Sequence, residues 1–248
     1  MKDEAHIQRM LAKQYHFDIR VVLSRARELS SENNWVLVQA LLTLVAVIFF
    51  LGFVFAYSFA IETPEDVQNL TNTQNAVASL IMNVVMAPLF AGIAMLAVTS
   101  ARGIKARAIN VFSYVSYILP LGVATLLISI AFDIGLMLLV LPGLYIFMAT
   151  TFTLPLIVDK GLTPFSAIFL SIRMTNAYLY QMTMVFLIFF ALFVGVLITF
   201  GFASIWVGPY FFNVKAVLYT ELFCGKEDEQ ASSQGQTSED GQSGVFNA

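Results

Sequence analysis

Long uncharged runs recur along this chain, and its Lys and Arg residues gather in every second gap between them. Twelve of the thirteen cations follow this rule: six precede Trp35, three are Arg102, Lys105 and Arg107, two are Lys160 and Arg173, and one is Lys226. The alternate gaps hold none. A hydrocarbon layer about 30 Å thick takes about 20 apolar residues per crossing helix, and several runs here reach that length. Hydrophobic residues make up 58% of the chain and charged residues 12%, against about 45–50% and about 25% in soluble domains. Cations that sit in alternate gaps share one face of a bilayer, and the positive-inside rule makes that face cytoplasmic. The expectation is therefore an all-α integral membrane protein. Its six transmembrane helices form three hairpins, amphipathic helices lie on the cytoplasmic side, and both termini are cytoplasmic.

The spans fall near residues 35–61, 76–99, 111–132, 134–158, 182–201 and 203–223, inside a transmembrane domain over 35–224. Ahead of it, residues 1–34 are polar but place Ile7, Met10 and Leu11, then Ile19, Val22, Ala26 and Leu29, at helical spacing. That pattern predicts an amphipathic helix lying on the headgroups. The same region is too charged for a cleavable signal peptide, so the first span is expected to act as the insertion signal. The stretch from Val111 to Val158 is 48 residues long with Asp133 as its only charge. It has to fold back, and Asp133 with Gly135 is the expected turn. A connector from Asp159 to Gln181 carries a second amphipathic segment, in which Pro164, Phe165, Ala167, Ile168, Phe169 and Ile172 surround Ser166, Ser171 and Arg173. Residues 225–248 are Ser, Gln, Gly and acidic residues, a composition that cannot bury enough apolar surface to fold alone.

The three inward-running segments each carry a proline in the outer half and end at a glycine: Pro88 to Gly103, Pro142 to Gly161 and Pro209 to Gly225. A threefold repeat of an interfacial helix plus a hairpin would produce this, and so would prolines tolerated in membrane helices whose neighbours satisfy the freed carbonyls.

Lys215 is the cation outside the pattern. It lies ten positions before Gly225, hence about 15 Å into the span. Placing an ammonium there costs about 2.5–3.5 kcal/mol on insertion scales, so it demands a partner or water. Two readings stand: a polar midplane site shared with Asn213, or a structural lysine satisfied by freed carbonyls or by the inner headgroups. A second candidate is the cytoplasmic rim of Arg25, Arg27, Arg102, Lys105, Arg107, Lys160 and Arg173, whose charges would attract anionic lipid headgroups. Asp133 reads as a turn former, and Asn83, Ser113, Ser116 and Ser129 as interhelical hydrogen-bonding groups. The lone Cys224 excludes an internal disulfide, and His6 and His16 lack the spacing of a helical metal pair. No phosphate loop, paired acid and base or nucleophile is present, so no cofactor, no metal, no nucleic-acid partner and no enzyme chemistry are expected. Small residues at Ala91, Gly92 and Ala94 suit close helix packing, within the chain or in a homo-oligomer.

Leu141-Pro142-Gly143-Leu144-Tyr145, then Pro155-Leu156-Ile157-Val158-Asp159-Lys160-Gly161, then Ala167 and Ser171, resemble a bacterial pattern. They are similar to motifs of the YciC-like multi-pass inner-membrane proteins and of the related membrane domain attached to some glycerophosphoryl diester phosphodiesterases. The resemblance runs over roughly residues 80–224. It implies a six-helix inner-membrane protein without the hydrolase domain, so no catalytic residue carries over. The expected role is non-enzymatic, in envelope homeostasis through binding of lipids or a partner protein. The alternative is a small transporter or channel with its site near Lys215.

Overall fold

The computed structural model describes residues 2–12, 18–59, 61, 63, 66 and 71–224, with the side chains of residues 2–5, 32, 33 and 72 left aside. The acidic segment from Gly225 onward, and with it the third glycine of the proposed repeat, lies outside the described residues. What is described is helical throughout, with no strand among the described residues. The helices are α1 (Lys2–Leu11), α2 (Ile19–Ser58), α3 (Asn72–Ala101), α4 (Ile118–Leu138), α5 (Val140–Ala149), α6 (Thr153–Lys160), α7 (Pro164–Ala177), α8 (Leu179–Ile198) and α9 (Ser204–Phe223). A 3-10 helix, Ala108–Tyr117, leads into α4. Among the described residues, five stretches are long and apolar enough to cross a membrane: Asn34–Ser58, Thr73–Ala101, Ala108–Leu138, Val140–Lys160 and Leu179–Ile198. Helix α9, which occupies the expected sixth span, is not among them; Asn213, Lys215 and Glu221 lower its mean hydropathy.

The apolar stretch of the first span begins at Asn34, close to the expected start at residue 35, but no helix break marks it. Helix α2 continues through Asn34 and Trp35 without a break for 40 residues, starting at Asp18, whose carboxylate accepts from the Arg20 backbone N–H at 2.9 Å. A side-chain N-cap of this kind satisfies one of the orphan amides of a first turn. The amphipathic stripe exists, but its apolar face meets protein rather than headgroups. Met10, Val22 and Ala26 are buried, with Ile7, Leu11, Ile19 and Leu29 packed around the same core. Helix α1 rests on α9 and α7, so the bundle offers the N-terminal stripe a preformed apolar surface.

The long apolar stretch folds back six residues later than expected. Asp133 is an exposed residue within α4, and the turn is at Leu139, whose backbone is extended (φ −167°, ψ 156°). Gly135 is a packing residue, not a turn residue: a Cβ there would come within 2.9 Å of the Gly143 backbone. These two glycines let α4 and α5 lie backbone to backbone, the same small-residue logic that brings membrane helices close. Pro142 falls in the first turn of α5, where no intrahelical amide bond is lost, whereas Pro88 and Pro209 lie inside α3 and α9. Gly103 and Gly161 both follow helix ends with positive φ, at 78° and 63°.

Between α5 and α6 the helix unwinds over Thr150–Phe152, and Ser171 of α7 closes the break. Its hydroxyl donates to the Ala149 carbonyl at 2.6 Å and accepts from the Phe152 N–H at 3.3 Å. A connector residue thus replaces the bonds that the broken helix loses. Gly92 packs against the backbone of Val111 in the 3-10 helix, with Ala91 and Ala94 buried beside it, so this small-residue face is spent inside the chain. Helix α3 touches α2, α4, α6, α9 and the 3-10 helix and forms the hub; α8 is the peripheral helix.

Candidate functional site

The densest polar chemistry lies where α3, α6 and α9 end together. Arg102, the residue after α3, sends both terminal nitrogens to Asp159 in the last turn of α6, at 2.9 and 2.8 Å. The Tyr219 hydroxyl donates to the same carboxylate at 2.8 Å, and Lys160 Nζ stands 3.6 Å from it. One Arg102 nitrogen also donates to Cys224 Sγ at 3.0 Å. A planar guanidinium suits this two-pronged grip on a carboxylate. Burial alone would depress the Arg102 pKa, but hydrogen bonding to Asp159 and the charges around it raise it above the ordinary value. Burial pushes the Cys224 thiol up, against the opposing pull of Arg102. Beside this cluster the buried rings of Phe152, Tyr219 and Phe223 pack with centroids 5.1–6.4 Å apart, Tyr219 stacked on Phe223 and Phe152 edge-on to Phe223.

The N-terminal elements close over the same end. Arg25 of α2 donates to the Ala101 carbonyl at 3.5 Å and pairs with Glu221 at 3.5 Å. A cation on the last carbonyls of a helix satisfies orphan acceptors and the macrodipole together. His6 Nε2 reaches the Glu221 carbonyl at 3.2 Å, and the Tyr178 hydroxyl donates to the Met10 carbonyl at 2.9 Å.

The seven residues of the expected rim therefore divide into two sets. Arg25, Arg102 and Lys160 are partly buried and engaged in this network. Arg27, Lys105, Arg107 and Arg173 are exposed. The exposed flank of α7 also carries Phe165 and Phe169, at 61% and 66% exposure, so a cation and two phenyl rings project from one short helix, the composition of an interfacial helix.

Lys215 and Asn213 are not brought together. Two positions apart on a helix, they face opposite ways. Asn213 is buried and its amide donates to Ser30 Oγ of α2 at 2.9 Å. Lys215 is partly buried, and its ammonium points back along α9 to the rings of Phe211 and Phe212, 5.2 and 5.8 Å from their centroids. That direction leads away from the basic end. The groove beside it, between α5, α8 and α9, is apolar, with a volume of about 470 Å³, and Phe147, Phe186, Phe189, Phe193 and Phe211 dominate its wall. In the other half of the bundle Ser129 donates to Asn83 Oδ1 at 2.9 Å, an interhelical bond of the kind expected of these residues.

Sequence reasoning missed Asp159, Tyr219 and Glu221 and did not connect Cys224 to Arg102. One signal was available: Asp159 is the only carboxylate between Asp133 and Glu221, and it interrupts a gap in which topology calls only for cations. Comparison with protein-family models, with curated proteins and with solved structures finds no match to this chain.

Proposed function

We propose that this chain is a six-span inner-membrane protein with both termini in the cytoplasm, and that it acts without enzyme chemistry by binding anionic lipids, or a partner protein, at its basic end. The role is one in envelope homeostasis, as in the YciC-like proteins that its Pro-Gly and Asp-Lys-Gly motifs resemble. The observation that carries this reading is the division of the rim. Asp159 and Glu221 engage three cations that hold the bundle together, and Arg27, Lys105, Arg107 and Arg173 are left displayed around them. Each displayed charge near a negative leaflet contributes about 1 kcal/mol of attraction.

The sixth span is α9. Its low hydropathy is compatible with crossing because α2 and α3 cover it and its polar groups Asn213, Tyr219 and Thr220 are buried against protein. A helix shielded by neighbours does not have to satisfy lipid. Single cysteines at Tyr57 and Lys105, in a Cys224→Ser background, test the topology in intact cells. Labelling of Tyr57→Cys alone by an impermeant reagent is expected, and labelling of Lys105→Cys overturns it. Lipid binding is tested by native mass spectrometry after extraction from vesicles of equal phosphatidylcholine and phosphatidylglycerol. Selective retention of phosphatidylglycerol is expected, reduced at least fivefold when Arg27, Lys105, Arg107 and Arg173 are all changed to Gln. Equal retention of the two lipids sinks the reading.

A further inference from the structure

One polar side chain faces outward from the first span without a partner among the described residues. Between Trp35 and Tyr57 the polar side chains are Gln39 and Thr43. Thr43 is satisfied within its own helix, its hydroxyl donating to the Gln39 carbonyl at 2.9 Å. The Gln39 side chain is exposed, and among the described residues no hydrogen-bond partner meets its amide. It lies five residues past Asn34, where the apolar stretch begins, hence about 7 Å into the layer. Trp35 stands one turn below on the same face, in the place of an interfacial aromatic, so Gln39 is on the hydrocarbon side of the belt. Lipid tails offer an amide neither donor nor acceptor, and each unmet polar group there is costly.

Gln39 belongs to a continuous seam. Trp35, Gln39, Leu42, Ala46, Phe49 and Phe53 recur at alternating steps of four and three residues, which keeps them on one face of the helix. All six are exposed, with Leu42, Phe49 and Phe53 at 61%, 74% and 71%, so no described helix covers the seam. Leu37, Ala40 and Leu44, on the other side of α2, are buried in the bundle. From Trp35 to Phe53 the seam runs about 27 Å, most of the thickness of the hydrocarbon layer.

We infer that this seam is the interface between two copies of the chain, related by a twofold axis along the membrane normal, in which the two Gln39 side chains are hydrogen-bonded to each other. Polar complementarity selects the partner. Copies inserted with the same topology bring their α2 helices together in parallel, so the two amides lie at equal depth on the axis. A twofold contact has to be self-complementary. A carboxamide meets that demand because it carries both donors and an acceptor, and two of them exchange a reciprocal pair of hydrogen bonds. A charged group at the same position would repel its own copy. Ala46, one step beyond Leu42, lets the backbones approach, as small residues do between membrane helices. One polar residue in such a seam fixes register and favours the two-stranded state. The small-residue face of α3 is spent inside the chain, which leaves the contact to α2. This interface requires only that α2 crosses the membrane and is independent of the lipid reading of the rim.

Full-length protein reconstituted in phosphatidylcholine vesicles, where no anionic lipid is present, tests the interface in two ways. Oxidative cross-linking of single cysteines in a Cys224→Ser background reads the geometry. Leu42→Cys and Ala46→Cys should give disulfide-linked dimers, and Leu187→Cys on the exposed face of α8 should not. Energy transfer between labelled copies, followed as the protein is diluted with lipid, reads the affinity. Gln39→Leu should raise the dissociation constant of the dimer about tenfold, the effect of an interhelical hydrogen-bonded pair, and Gln39→Asn should stay within about threefold of wild type. The cross-links are read with Gln39 intact, so they test the seam even if Gln39→Leu yields little folded protein. Equal dissociation constants for Gln39→Leu and wild type, cross-linking from Leu187→Cys as efficient as from Leu42→Cys, association beyond two copies, or a chain that stays monomeric at every dilution each overturns the interface. None of these outcomes touches the phosphatidylglycerol test of the rim.

Discussion

At the basic end of the bundle, the last turns of α3 and α9 and the whole inner face of α6 are buried almost without remainder, from Ile93 to Val98 and from Ala216 to Phe223. At the opposite end, Phe49, Phe50, Phe53 and Tyr57 of α2, Met137 to Leu141 at the α4–α5 turn, and Leu197 to Trp206 around the α8–α9 turn stand open. Grooves of about 570 Å³ between α2 and α3 and about 470 Å³ beside α8 run between the helices there. The difference follows from what each end must solvate. Backbone carbonyls, a carboxylate and a guanidinium gain only from specific partners, so helices carrying them are drawn into one arrangement. Apolar side chains in hydrocarbon gain little from touching one another instead of lipid tails, so nothing obliges the far ends to close.

This contrast ranks the effect of substitutions. Asp159→Asn strikes the centre of the closed end, leaving Arg102 with half its grip, and should cost about 3 kcal/mol of stability; a thermal melt in detergent measures it. Arg102→Leu with Asp159→Leu should recover most of that loss, because an apolar pair of similar volume replaces a partly buried ion pair with little penalty. Failure to recover would mean that the network orders the end beyond its pairwise energy. Gly143→Val, which forces a branched side chain against the side chain and backbone of Leu136, should cost about 2 kcal/mol by overpacking, detected as a lower melting temperature. Ser171→Ala removes a hydroxyl that serves both sides of the α5–α6 break and should cost about 1.5 kcal/mol. At the open end Leu197→Ala should stay within about 0.5 kcal/mol of wild type; a larger loss would show that α8 is held more tightly than its few contacts imply.

Much of the helix pattern was legible because hydropathy reports length directly. The expected 76–99 is found within Asn72–Ala101, 182–201 is close to Leu179–Ile198, and 203–223 nearly coincides with Ser204–Phe223. The turn at Leu139 was not legible, since Leu138, Leu139, Val140 and Leu141 differ hardly at all in hydropathy and the only charge nearby, Asp133, stays on an exposed helical face. Gly135 misled for a related reason: a glycine marks either a turn or a close contact, and only the partner at Gly143 decides which. The fusion of residues 19–34 with the first span was hidden as well, because amphipathic spacing reports a buried face without saying whether lipid or protein buries it. In the site, counting cations to assign sides gave Arg102 and Arg173 the same meaning. The difference between them is Asp159, fifty-seven residues from Arg102, a separation that no local pattern spans.

Helix α2, with its 40 residues, is about 60 Å long, about twice the thickness of the layer it would cross. Arg25 fastens its lower part to α3 and α9, and no proline or break in the helix offers a hinge. It is therefore one continuous rod, gripped at its lower end by Arg25 and packed along α9 and α3 above it. A thinner bilayer, which makes long helices lean, would have to tilt the whole bundle or bend α2 above this grip, so the exposed Arg27 beside the grip keeps its place relative to Arg102 and Asp159.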